Sequence, residues 1–168
     1  MCNHYRKGGP VAEFSEVRFG GGVKVVGQLE LVEHTYPKYP APVVIQQTGE
    51  RVLLNKTWGI PITIKGATKS IVKPVTNARN DKLNGLTWRY STRERRCLIP
   101  ATGYFEPGLG PAGAKGEILF TVRERPMFFF AGLWEGDAFT MVTTDPNDYV
   151  RPYHDRMPVV LSDEDALA

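Results

Sequence analysis

Glycine and proline constrain this chain more than any other feature. Seventeen glycines and thirteen prolines are spread along 168 residues. Proline removes a backbone donor and fixes φ, and glycine weakens any regular element it sits in. A chain punctuated this way folds into many short elements joined by turns, not into long helices. The length fits one domain, residues 1–168, able to bury roughly 70% of its unfolded surface without disulfides or metals. Hydrophobic residues are 42% and charged residues 23%, a globular balance that excludes collagen-like, coiled-coil and disordered classes. No run reaches the ~18 apolar residues of a membrane span. The start, Met1 to Arg6, lacks the apolar core of a signal peptide. Two cysteines, Cys2 and Cys97, are too few for a disulfide scaffold. These features lead us to expect a reducing, cytoplasmic setting and no membrane partner.

The net charge of +3 permits a polyanionic partner without arguing for one. Distribution says more. Arg89 to Arg96 carries four arginines and one glutamate, Lys65 to Lys73 has three lysines and no acid, and Asp163-Glu164-Asp165 is acidic. Any of these is also a plain solvated face.

The pattern of elements is α+β. Val11, Phe14, Val17 and Phe19 follow a weak helical spacing closed by Gly20-Gly21-Gly22. Val43 to Gln47 and Arg51 to Trp58 read as a hairpin around Thr48-Gly49-Glu50. Trp58-Gly59-Ile60-Pro61 ends it, a polar loop is expected up to Val75, and a short helix after Asn77. Arg96 to Pro100 reads as a buried strand. Glu117 to Arg123, Met127 to Trp134 and Ala138 to Thr144 read as an antiparallel meander. Asp145-Pro146 and Ser162-Asp163 are expected to open two further helices.

A few residues have chemistry beyond packing. If Met1 is removed, Cys2 carries a thiol and a free α-amine on adjacent carbons, with ordinary pKa values near ~8.5 and ~7.8. Such a pair closes a five-membered thiazolidine on an aldehyde. Cys97, whose amine is a peptide nitrogen, cannot do this and reads as a small buried hydrophobe. Glu106 follows Tyr104 and Phe105, a setting that favours desolvation and acid/base work, though a strand-end glutamate reads the same way. His154, beside Asp155 and Arg156, is either a proton shuttle or a structural turn residue. Asn77 and Arg79 offer an amide and a phosphate-matching fork, or simply turn chemistry. Phosphate-binding glycine loops, dinucleotide fingerprints, a Gly-x-Ser-x-Gly elbow and metal-ligand spacings are missing, so no cofactor or metal is expected.

Taken in order, Met1-Cys2, Trp58-Gly59-Ile60-Pro61, Asn77-Ala78-Arg79, Arg96 to Ala101, Gly103-Tyr104-Phe105-Glu106, Phe130 to Glu135 and His154 to Val159 resemble the SOS response-associated peptidase (SRAP) family. The resemblance runs from Cys2 to Leu161. It implies an SRAP-like fold, an antiparallel barrel-like sheet with short peripheral helices. It also implies a monomeric sensor of abasic sites in single-stranded DNA, in the cytoplasm of a bacterium or phage-infected cell or on the nucleoid. In that family the N-terminal cysteine, here Cys2, crosslinks the abasic aldehyde as a thiazolidine, and Met1 leaves first in a thiol autopeptidase-like step.

The roles implied are Asn77 orienting the Cys2 end, Glu106 handling protons at the amine and imine, and His154 assisting sugar ring opening. Arg79 would hold a phosphate, Trp58 would begin a base-stacking wedge, and His4, Arg89 and Arg156 would face the strand. The chain departs from the family pattern in places. Cys2-Asn3-His4 stands for Cys-Gly-Arg, Asp81 for a glutamate, Pro107 for a tryptophan, and the tryptophan usual after Pro61 is missing. The alternatives are an N-terminal-nucleophile hydrolase, a thiol hydrolase acting through Cys2, and a non-catalytic single-strand-binding module.

Overall fold

The computed structural model describes residues 2–7, 22–30, 32–109 and 113–167. The expected Val11 to Phe19 helix lies outside them. The first strong element is the expected hairpin. Strand β4 (Pro40–Gln47) pairs antiparallel with β5 (Glu50–Trp58), with Gln47 opposite Glu50. Thr48 and Gly49 form the turn at φ 51° and 82°. Two successive positive φ values are what a two-residue type I′ turn requires, and its twist matches that of the flanking strands.

On its other side β4 meets β9 (Arg96–Ala101), with Val44 opposite Leu98. Next comes β12 (Phe128–Glu135), which turns tightly into β13 (Ala138–Thr144). The start of β13 then runs parallel to the end of β5, Ala138 opposite Thr57 and Phe139 opposite Trp58. That pairing joins β5, β4, β9, β12 and β13 into a closed ring of five strands. Closure removes exposed strand edges. Short strands cover what remains: β2 (Val23–Val25) on β5, β8 (Asn77–Arg79) and β14 (Met157–Pro158) on β13.

The period-two alternation of these strands sorts their side chains into two layers. Val43, Ile45, Cys97, Ile99, Phe128, Phe130, Phe139 and Met141 share one buried cluster. Val44, Leu53, Phe129 and Leu98 belong to another. The interior is so full that a Cβ on Gly132 would sit 2.7 Å from Cys97 Sγ and from Ile99 Cδ1.

A second sheet, in the order β11 (Lys115–Phe120), β10 (Gly103–Leu109), β1 (Tyr5–Arg6), β3 (His34–Thr35), packs against the ring. Tyr5 and Tyr104 face each other across β1 and β10 and enter the ring's main cluster. Tyr5 meets Trp58 edge-on at 5.1 Å. The fold is α+β and mostly sheet. Its helices are short: a 3₁₀ turn (Asn80–Lys82), α1 (Arg89–Glu94) and α2 (Asp163–Leu167). Ser162 Oγ caps α2 by accepting the Asp165 amide at 3.0 Å. Among the described residues no helix is long and apolar enough to cross a membrane.

Several sequence expectations need correction. The stretch after Gly59 is a two-stranded ribbon, β6 (Ile60–Lys65) and β7 (Ser70–Val75), not a polar loop. Its lysines mask the alternation. Gly59 turns the chain into the ribbon at φ +125°, where a Cβ would meet Pro74 Cβ at 2.8 Å. Asn77 starts strand β8, because β13 offers it a parallel partner, and helical structure begins only at Asn80. The meander is split. β11 pairs with β10 in the second sheet, whereas β12 pairs with β9 and β13 in the ring. Asp145-Pro146 opens no helix. Asn147 Oδ1 instead accepts the Tyr149 and Val150 amides at 3.1 and 3.0 Å, which shapes a series of turns.

Candidate active site

Cys2 lies just ahead of β1 and is 1% exposed. Two contacts pin it. Its Sγ–H donates to the His4 carbonyl at 3.5 Å, and its own carbonyl accepts Asn77 Nδ2 at 3.0 Å. Asn77 is placed by β8 on β13, and its Nδ2 also donates to Thr76 Oγ1 at 2.9 Å. The short strand β8, laid on the ring, and the segment that leads into β1 of the second sheet therefore meet at the cysteine.

Glu106 belongs to β10 and shares its inward face with Tyr104 through the strand's alternation. It is 0% exposed, and neither carboxylate oxygen has a hydrogen-bond partner among the described residues. Burial pushes its pKa up, and the charges of the chain's N-terminus and of His154 oppose that in part. Without a partner, a buried carboxyl is shifted toward its acid form, because ionising it without compensation is costly. Burial likewise pushes the Cys2 thiol up, and the Glu106 charge adds to the effect. The Tyr104 phenol is raised by burial, with Cys2 and Glu106 adding to it. These mutual effects place Cys2, Glu106 and Tyr104 in one electrostatic neighbourhood.

His154 closes the group from the turns before β14. Its Nδ1 lies 3.0 Å from the Arg156 amide and 3.0 Å from Asp155 Oδ1. Beside it opens a cleft of about 580 Å³ lined by Asp145, Arg151, Tyr153, His154 and Asp155. Cys2, Asn77, Glu106 and His154 come from distant parts of the sequence, and the fold brings them together. Among the described residues no cluster of histidine, cysteine and carboxylate side chains is arranged to hold a metal ion.

The whole chain, residues 1–168, matches the family described as SOS response associated peptidase (SRAP). This chain belongs to the SRAP family. Its relatives include abasic site processing protein YoqW of Bacillus subtilis (strain 168), 32% identical over 117 residues, which covers 64% of this chain and 52% of the relative. Another is abasic site processing protein YoaM of the same organism, 32% identical over 146 residues, covering 81% of this chain and 64% of the relative. The chain spans about half to two thirds of the length of these relatives. The SRAP fold is matched by a solved structure of a protein from Bacteroides thetaiotaomicron, with TM-score 0.75 and 22% identity over 99% of this chain and 81% of that one. A phage-related protein from Bordetella bronchiseptica matches with TM-score 0.69 and 22% identity, over 99% of this chain and 80% of that one. At that identity the likeness shows the fold.

The side chains expected to contact DNA in this SRAP chain fare differently from the four above. Trp58 is fully buried, edge-on to Tyr5, with its Nε1–H donating to the Thr76 carbonyl at 2.9 Å. It offers no face to a base, because the β5 alternation turns it into the ring. Arg156 is also buried, its guanidinium donating to Asp145 Oδ1, Asn80 Oδ1 and the Thr143 carbonyl at 2.5, 2.7 and 2.7 Å. It ties β13 to the turns that carry His154 and is not presented to a strand. His4 is buried as well, in contact with Glu117 and His34. Arg79 and Arg89 are exposed, Arg79 in a two-pronged pair with Asp81 at 3.0 Å. Sequence reading placed Asp155 and Tyr104 beside the candidates but missed Glu117 as a neighbour of the site. Glu117 depends on the β10–β11 register, which leaves no local signal.

Proposed function

We propose that this chain senses abasic sites in single-stranded DNA and crosslinks them covalently through Cys2 once Met1 has been removed. The reading is supported most by the pairing of a pinned Cys2 with an unpartnered, buried Glu106. The relatives YoqW and YoaM carry the name abasic site processing protein, which agrees with it. The ring-opened abasic sugar presents an aldehyde at C1′. The Cys2 amine attacks C1′, forming a C–N bond and a carbinolamine. Glu106 in its acid form gives a proton to the carbinolamine oxygen, which leaves as water, and recovers one as the nitrogen loses its own. The Cys2 sulfur then adds to the imine carbon, and the thiol proton moves to nitrogen, closing the thiazolidine. His154 transfers the proton that opens the sugar ring, and Asn77 keeps the Cys2 backbone aligned.

This route needs a neutral thiol until the last step, which agrees with a Cys2 thiol pushed up by burial. A thiol hydrolase needs the opposite, a thiolate stabilised by nearby positive charge. The exposed Arg79 and Arg89 are the strand contacts in this reading, supplying salt-dependent phosphate binding.

The deciding experiment is a denaturing gel of Met1-processed protein with a single strand bearing one abasic site. A band that survives denaturation and requires both Cys2 and the lesion is expected. No such band with Met1 confirmed absent, or an equal band from Cys2→Ala, overturns the reading.

A further inference from the structure

His4 is 6% exposed, and every part of its ring is in use. One face stacks on Phe105 at 4.0 Å and 14°, the other on Tyr36 at 4.3 Å and 23°. Nδ1 lies 2.9 Å from Glu117 Oε2, and Nε2 lies 2.8 Å from His34 Nδ1. Nδ1–H donates to the carboxylate, so Nε2 and His34 Nδ1 share a single proton between them. The partners come from three strands of the second sheet: Phe105 from β10, Glu117 from β11 and His34 from β3.

The backbone of the same residue is the hub of the Cys2 seat. The His4 carbonyl accepts the Cys2 thiol at 3.5 Å and the Phe105 amide at 2.9 Å. From the ring side, Asn77 holds the cysteine by a hydrogen bond to its carbonyl. A side chain fixed on both faces and at both nitrogens fixes its own carbonyl, and through it the sulfur that must meet the imine carbon.

We propose that His4, clamped by Glu117 and His34 between Phe105 and Tyr36, is a positioning residue that seats Cys2. Its relevance to crosslinking rests on the function proposed above, but the seating itself is measurable without DNA. A seated, buried thiol reacts with alkylating agents only when its segment opens locally, so the rate reports the free energy of that opening. Cys97, buried inside the ring, is the internal control.

The test is iodoacetamide labelling of the full chain, with each cysteine followed by peptide mass spectrometry. His4→Phe keeps the stack and removes both hydrogen bonds. It is expected to speed Cys2 labelling about tenfold, with Cys97 changing less than about twofold. His34→Ala is expected to speed Cys2 labelling about threefold or more. His34→Asn, whose amide can replace the Nδ1 contact, is expected to return it to within about twofold of the unsubstituted chain. An unchanged Cys2 rate in His4→Phe, a parallel rise at Cys97, or no rescue by His34→Asn overturns the inference. Each protein is also incubated with the abasic strand. A missing crosslink in the unsubstituted chain overturns the proposed function, while the labelling rates decide the seating of Cys2 on their own.

Discussion

Glu106 and Arg156 are both ionisable residues buried near the turn that carries His154, yet their surroundings are opposites. Arg156 has three oxygen acceptors, drawn from the 3₁₀ turn, β13 and the turn after it. Glu106 has no hydrogen-bond partner among the described residues for either oxygen. The first region is built to hold a shape. The second accepts an energetic penalty that a fold selected for stability alone would remove, and such penalties collect where chemistry is done. The sequence reading assigns Glu106 a proton-handling role and Arg156 a place facing the strand, whereas the fold ties Arg156 into three hydrogen bonds and leaves Glu106 without one among the described residues.

The largest expected effect breaks the comparison at its reactive end. Glu106→Gln removes the transferable proton and keeps the shape, so the initial crosslinking rate on an abasic strand should fall about 10²–10⁴-fold, the usual range for a lost general acid. A fall smaller than tenfold would mean that Glu106 only fills space. At the structural end, Arg156→Met leaves the Thr143 carbonyl and the Asn80 side chain without their donor. Destabilisation of about 3 kcal/mol is expected from urea unfolding. If Arg156 were a strand contact instead, stability would hold and only DNA affinity would change.

A smaller effect of opposite sign separates the two residues most sharply. The folded pKa of Glu106 lies above the ordinary carboxylate value of 4.5. Below that value both folded and unfolded chains carry the proton, and burial costs nothing extra. As pH rises through the window above it, the unfolded chain ionises first, and the fold loses stability until Glu106 also ionises. Glu106→Gln should therefore match the parent near pH 4 and exceed it at pH 7, by on the order of 1–3 kcal/mol. A constant gap across that range would refute the assignment of a buried, unpartnered acid.

Lys7 sharpens the scale between these extremes, with one acceptor, the Glu30 carbonyl at 2.6 Å. Burial lowers its pKa from 10.5 to about 8. Between those values the unfolded chain holds the proton more tightly, so stability rises with pH through that window. Lys7→Met should gain stability relative to the parent at pH 7.5, and the gain should shrink by pH 10.5. Paired urea midpoints at the two pH values measure it, and a gain that does not shrink would place the cause elsewhere.

The β4–β5 hairpin was legible because its signals are local: alternation on both sides of a turn that suits positive φ. The order of motifs likewise pointed to the barrel-like SRAP fold. What stayed hidden depends on pairing between distant segments. Nothing near Asn77 announces β13 as its partner, so a strand read as a helix start. The ribbon after Gly59 was masked because its exposed faces carry lysines among isoleucines and valines. At the site, chemical type left Cys2, Asn77, Glu106 and His154 with plain structural readings, and it was the order of motifs that made them the candidates. The direction of Trp58, the ties of Arg156 and the clamp on His4 could be read from neither, since each depends on which face a strand presents once its neighbours are in place.

The parallel contact between β13 and β5 also bears on how the chain comes to be folded. It joins residues about eighty positions apart, Ala138 with Thr57. A growing chain displays the β4–β5 hairpin long before β13 exists. Until then, the edge of β5 from Thr57 to Trp58 has no strand to cover it, and β2 shields only Arg51 to Leu53. Ring closure of this kind, made through long-range contacts, is slow compared with forming the hairpin. The interval leaves an apolar strand edge open to other copies of the chain. Refolding yield should therefore fall as protein concentration rises, and capping that edge early is the step on which recovery of the closed barrel depends.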